Sequence, residues 1–206
     1  MKPGWPAALW RTAIAASVLV LLWGCGRTPK LNAEQQTTVD RFLSKYRSDQ
    51  ELTERDIGPI VAVGDPAVPQ LAEAIGKVQP GQPLHRIHSD VDMVDCLARI
   101  GTPRAIDGIC KILRHKYRGY YGMDRMQAAA ALVRLGAADR VSVLQEVISE
   151  HEQLVGQQRY PEMYSREVAV LKNAVRMLEA GKGAADTSNF GHGPALEYGF
   201  LMEGPM

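Results

Sequence analysis

Cysteine is scarce in this chain of 206 residues: three positions, too few to staple a disulfide scaffold, so their placement matters more than their number. Neither sign of charge dominates. With 24 Lys and Arg against 23 Asp and Glu, the net field gives no reason to expect nucleic acid or an acidic partner, and any role for charge is local. A membrane-length hydrophobic run is also missing. The long apolar stretch from Ala13 to Trp23, with Ser17 its single polar residue, is about half of the roughly 20 residues a spanning helix needs. An assembled catalytic set is absent too, with no nucleophile beside a base, no working carboxylate pair and no phosphate loop. Gly181-Lys182-Gly183 lacks the strand and helix context of such a loop and reads as a helix stop. What is present is a balance of 46% apolar and 23% charged residues, that of a chain which buries a core in one or two domains. A wholly disordered or collagenous protein is excluded.

The first 24 residues contain Lys2 and Arg11 but no acid, and their apolar run matches the charged and hydrophobic regions of a secretory signal. The run ends in Leu22-Trp23-Gly24-Cys25, which resembles the lipobox of bacterial lipoproteins. That resemblance implies cleavage before Cys25 and acylation of its sulfur. Two or more acyl chains hold a protein firmly on a bilayer, whereas one binds only marginally. Gly26, rather than Asp, follows the cysteine, which by the enterobacterial sorting habit resembles an outer-membrane destination. Without Lys2 and Arg11, 22 basic residues face 23 acids, so the mature chain is expected to be close to neutral.

The remaining sequence repeats. An apolar helical stretch ending in Gly, a short turn and a second apolar stretch occur in Ile60 to Leu71, in Leu97 to Ile106 and in Leu132 to Val141. A weaker copy of the first half alone lies in Ala174 to Gly181. Gly64, Gly101 and Gly136 sit where a helix ends on a left-handed residue, and Pro66 and Pro103 fall early in the next helix, where a missing amide hydrogen does no harm. Each unit is therefore a helical hairpin. Met93, Leu97 and Ile100 share one face of the second unit's first helix (its A helix), and Ile106, Ile109 and Leu113 share one face of the second (its B helix). One hairpin cannot cover both faces, so hairpins must stack with A and B helices in two layers. Ser89 with Asp92, and Asp124 with Gln127, read as capping-box starts of the second and third A helices. A further helix is expected from Ala33 to about Arg47, with Val39, Phe42, Leu43 and Tyr46 on its inner side.

The Gly-Asp-Pro-Ala-Val-Pro turn at Gly64 and the Gly-Thr-Pro-Arg-Ala-Ile turn at Gly101 resemble those of HEAT repeats, of the short type also found in phycobilisome lyases. The resemblance covers roughly residues 52–181. It implies an all-α fold, a right-handed α-α superhelix of about three hairpins plus flanking helices, and a binding scaffold in most members. The expected organisation is a signal peptide at 1–24, a lipidated Cys25 and tether at 25–32, a solenoid at 33–181 and a tail at 182–206.

The turns within hairpins are short, but the links from each B helix to the next A helix are long, at roughly 76–88, 114–123 and 152–161. In a stacked array they emerge on one edge. The first carries His85, Arg86 and His88; the second Arg114, Lys116, Tyr117, Arg118, Tyr120 and Tyr121; the third Arg159 and Tyr160. Four of the seven tyrosines fall there, and Tyr with Arg is the usual anchor chemistry of interfaces. The alternative is that the cations complement helix C-termini and the tyrosines pack between repeats. His85 and His88, with Asp90 or Asp92, offer a second chemistry, since two imidazoles and a carboxylate can ligate zinc.

Cys96 and Cys110 lie equally far from the second turn, which places them opposite each other across an antiparallel hairpin. A disulfide in an oxidising envelope and a pair of small buried hydrophobes are both open readings. The tail is rich in Gly, Ala, Ser and Pro without a period, yet Phe190, Tyr198, Phe200, Leu201 and Met202 are more apolar than a linker needs. A mobile tail and a segment docked on the solenoid end or on a partner are its two readings. The functional expectation is a non-catalytic, cofactor-free adaptor, lipid-anchored on the extracytoplasmic side of a bacterial inner or outer membrane. It holds a protein partner by the link edge. A ligand- or metal-binding protein using His85 and His88, or a structural spacer, are the alternatives.

Overall fold

The structure is a computed structural model that describes residues 30–48, 50, 52–75, 85–115, 123–155 and 161–181. All regular structure among these residues is helical. The elements are α1 (Ala33–Arg47), α2 (Glu54–Val63), a 3-10 turn (Asp65–Ala67), α3 (Val68–Ala74), α4 (His85–Ile100), α5 (Pro103–Arg114), α6 (Met123–Arg134), a second 3-10 turn (Ala138–Arg140), α7 (Val141–Val155) and α8 (Pro161–Glu179).

Helix ends follow from local chemistry. At the start of α1 the Asn32 side chain accepts from the Gln35 amide at 2.8 Å and Gln35 Oε1 accepts from the Asn32 amide at 3.0 Å, so two orphan donors are satisfied reciprocally. At α2 the Asp56 carboxylate reaches back to the Thr53 amide at 3.0 Å and hydroxyl at 2.9 Å. The starts expected at Ser89 and Asp124 are different. α4 begins at His85, so Ser89 lies inside it, and Asp124 sits in the first turn of α6 as a buried side chain rather than before it. The sequence signature of a cap is short and common, whereas burial of an apolar face extends a helix past it.

The stop glycines behave as their spacing predicts: Gly64, Gly101, Gly136 and Gly181 all have φ between 63° and 72°. At Gly101 a Cβ would also meet the Ala98 carbonyl at 3.5 Å and Leu135 Cδ2 at 3.6 Å, so the second turn is pressed against the end of α6. Gly108 serves closeness of a different kind. A Cβ there would stand 3.0 Å from Leu97 Cδ1, so the missing side chain lets α5 lie close on α4.

Packing runs along the chain. Helix pairs in substantial contact are consecutive or next but one: α2 with α4, α4 with α6 and α6 with α8 form one row, and α1 with α3, α3 with α5 and α5 with α7 form another. Cross-row contacts join α1 to α2, α4 to α5, α5 to α6 and α7 to α8. One continuous core results, running from Val39 and Phe42 through Leu71, Leu97 and Leu132 to Leu171 and Leu178. Each fully buried side chain of this size contributes about 1.5–3 kcal/mol of transfer free energy.

Charged ties stitch neighbouring units. Asp65 in the first turn accepts from Thr102 Oγ1 at 2.6 Å and Arg104 Nη1 at 2.8 Å in the second, and Asp107 pairs with Arg140 of the third at 2.9 Å. Along the A row, Arg99 holds Glu54 with two bonds of 2.7 Å and lies 3.7 Å from Asp95, which is 3.9 Å from Arg134. Burial pushes the Asp95 carboxyl above its ordinary value, with Arg99 and Arg134 opposing.

Candidate functional site

The C-termini of B helices and the N-termini of A helices meet at the edge where the links leave. Leu113 and His115 end α5 with carbonyls that no helical amide can reach. Arg125, in the first turn of α6, supplies the donors: Nε to the Leu113 carbonyl at 3.2 Å and Nη2 to the His115 carbonyl at 2.7 Å. The same guanidinium donates through Nη1 to Glu167 of α8 at 3.1 Å and lies 3.2 Å from His151 Nε2 of α7. Glu167 Oε1 is also 3.5 Å from His151 Nδ1. Four helices are thus tied to one cation, and Arg125, His151 and Glu167 are all buried.

Electrostatics there are those of a dry site. Burial pushes the Glu167 carboxyl up, and Arg125 only partly opposes it. Burial raises the adjacent Asp124 carboxyl as well, with Arg125 again opposing, and Asp124 Oδ1 has no hydrogen-bond partner among the described residues. The signal that could have found this cluster is three polar side chains, Arg125, His151 and Glu167, at positions of high apolar periodicity. It is faint in sequence because each lies on a different helix.

A second tie stands on the same edge. The Tyr46 hydroxyl, at the end of α1, donates to the carboxylate of Asp90 near the start of α4. Tyr46 is almost fully buried, so its apolar ring fills the core while its polar tip joins two elements.

Of the expected recognition residues, Arg114 is exposed at the end of α5 and pairs with Glu146 of α7 at 2.9 Å, a tie between units. Arg86 lies in the first turn of α4, its side chain outside the described residues. Lys116, Tyr117, Arg118, Tyr120, Tyr121, Arg159 and Tyr160 also lie outside them. The links are shorter than expected: α4 begins at His85, and α7 continues to Val155 before α8 starts at Pro161. His85 and His88 therefore stand on a helix rather than in a loop, with side chains not described, and Asp90 is engaged by Tyr46. Among the described residues no group of three or more His, Cys, Asp or Glu side chains is placed to hold a metal ion. Nor is any described helix long and apolar enough to cross a membrane. Cys25 and the tail, with Phe190, Tyr198, Phe200, Leu201 and Met202, lie outside the described residues.

Of the two open readings of the cysteine pair, a disulfide or two buried hydrophobes, the structure has no bond between the sulfurs. Cys96 and Cys110 are both free and buried. Gly108, not Cys110, faces Leu97 across the hairpin, and a helix turns its side chains by about 100° per residue, so equal distance from the turn does not make two residues face each other. Burial is the largest influence on both thiols, with Asp95 the first charge acting on Cys96 and Arg140 the first acting on Cys110. Burial pushes them up to about 12 and about 11.

Comparisons with family models, with curated proteins and with solved structures found no match for this chain.

Proposed function

We propose that the protein is a lipid-anchored adaptor of the bacterial cell envelope, in which a HEAT-like right-handed α-α superhelix holds a protein partner by its link edge and performs no catalysis. The observation that carries this reading is the Arg125 cluster. It ties α5, α6, α7 and α8 together, the helices that flank the links at 116–122 and 156–160. The residues in those links are Lys116, Tyr117, Arg118, Tyr120, Tyr121, Arg159 and Tyr160, a set of aromatic and cationic anchors without an acid. Positive φ at four stop glycines and the two rows of helices support the repeat architecture. The Leu22-Trp23-Gly24-Cys25 motif supports the anchor. Seven residues from Gly26 to Asn32 then separate the lipid from α1, a reach of about 25 Å at full extension, which holds the array against the membrane.

Pull-down from envelope extract tests the reading. Replacing Arg114, Lys116, Arg118, Tyr120 and Tyr121 together by Ala abolishes partner recovery while helicity is unchanged, and Cys25→Ser moves the chain from the membrane to the soluble fraction. Unchanged recovery from the five-fold variant removes the link edge from the function.

A further inference from the structure

Among the described residues the array ends on the first half of a hairpin. α8 occupies the A position of a fourth unit and ends at Gly181, whose φ of 67° repeats the stop of the three preceding units. After Gly64, Gly101 and Gly136 the chain turns and lays a B helix beside the previous one, α3 against α5 and α5 against α7. The place where a fourth B segment would rest is a groove of about 450 Å³ between α7 and α8, lined by Gln145, Ile148, Ser149, Lys172, Val175 and Arg176. Counted from their stop glycines, Gln145 and Ile148 correspond to Cys110 and Leu113 one unit earlier, and Lys172 and Arg176 correspond to Gln127 and Ala131. Those four earlier residues are buried, whereas Gln145, Lys172 and Arg176 are exposed. No described helix lies on this groove.

We infer that residues 182–206 of this same chain occupy it, with the segment from Leu196 to Glu203 standing in for the B element of the fourth unit. Three observations select this occupant over a second copy or a separate partner. Only residues 182–195 separate Gly181 from Leu196, so the local concentration of the segment at the groove is set by a tether of 14 residues. Its apolar residues Leu196, Tyr198, Phe200, Leu201 and Met202 match the floor made by Ile148 and Val175. Its charge is complementary: Glu197 lies within and Glu203 directly after the apolar stretch, and the groove carries Lys172 and Arg176. Lys172 reaches Glu152 at 2.6 Å, but Arg176 has no acidic partner among the described residues. Covering the end of a repeat array also protects the open face of its last unit, which internal units hide against a neighbour.

The test is photocrosslinking in the full chain, with a photoreactive benzoylphenylalanine replacing Phe200. The expected result is an adduct within one molecule to the peptides carrying Ile148 or Val175, with a yield independent of protein concentration. Lys172→Glu with Arg176→Glu lowers that yield about fivefold, the factor expected from losing two exposed ion pairs. Adding Glu197→Lys with Glu203→Lys restores it, which separates charge pairing from damage to the fold. Absence of an adduct on α7 or α8 overturns the inference. So does an adduct between two chains that grows with concentration, or one on another protein in its place, or a yield indifferent to the charge reversal.

Discussion

Asp124 is an acid in the first turn of a helix, where the macrodipole and the free amides favour its charge, yet burial outweighs both and raises its carboxyl pKa. A native state that binds the proton more tightly than the unfolded chain is most stable below the unfolded value, near 3.8, and loses that contribution as pH rises through the folded value. Asp124→Asn keeps an acceptor for the helix amides and removes the charge. The variant therefore gains stability relative to the parent between about pH 4 and neutrality, with the gain vanishing on the acid side. Paired urea titrations across that range check it, and a difference independent of pH contradicts it. Asp95 and Glu167 carry the same sign, whereas Glu54 and Asp56 are held below their ordinary values by Arg99 and Lys45, so only the difference between variant and parent isolates Asp124.

Between elements, the strongest single tie is Arg125, because it serves carbonyls of α5, an imidazole of α7 and a carboxylate of α8 at once. Exposed ties such as Arg114 with Glu146 hold the same rows together but are screened by water. Removing one member of a buried pair strands the other, so Arg125→Met costs about 3–5 kcal/mol of stability. Adding Glu167→Gln recovers part of that loss, and the double-mutant cycle in urea denaturation reports the coupling. Additive losses contradict the assignment of Arg125 as the tie. The cluster was barely legible in the sequence. Arg125, His151 and Glu167 are separated by 26 and 42 residues from the arginine, and nothing local to any of them announces the others. Arg114 was legible as a helix-end cation, while its partner Glu146 was not, since that pair depends on how α5 and α7 stack.

At the scale of the molecule, the substantial helix contacts among the described residues join near neighbours along the chain, so local perturbations stay local. Phe42 is buried on α1, the helix that packs on α2 and α3, and Phe42→Ala costs about 3–5 kcal/mol. In native-state hydrogen exchange the variant accelerates the amides of α1, α2 and α3 and leaves those of α7 and α8 unchanged. Uniform acceleration from α1 to α8 would instead show a single cooperative unit.

The amino-acid sequence by itself determined the hairpin unit, the stop glycines and the limits of α1, because each is written in residues within a turn or two of one another and needs only helical periodicity or a left-handed φ. The extension of α4 back to His85, the burial of Cys96 and Cys110 as free thiols and the convergence on Arg125 were decided by tertiary structure. Each of these depends on which faces press together across tens of residues, and stacking sets a rotation between helices that no local pattern encodes.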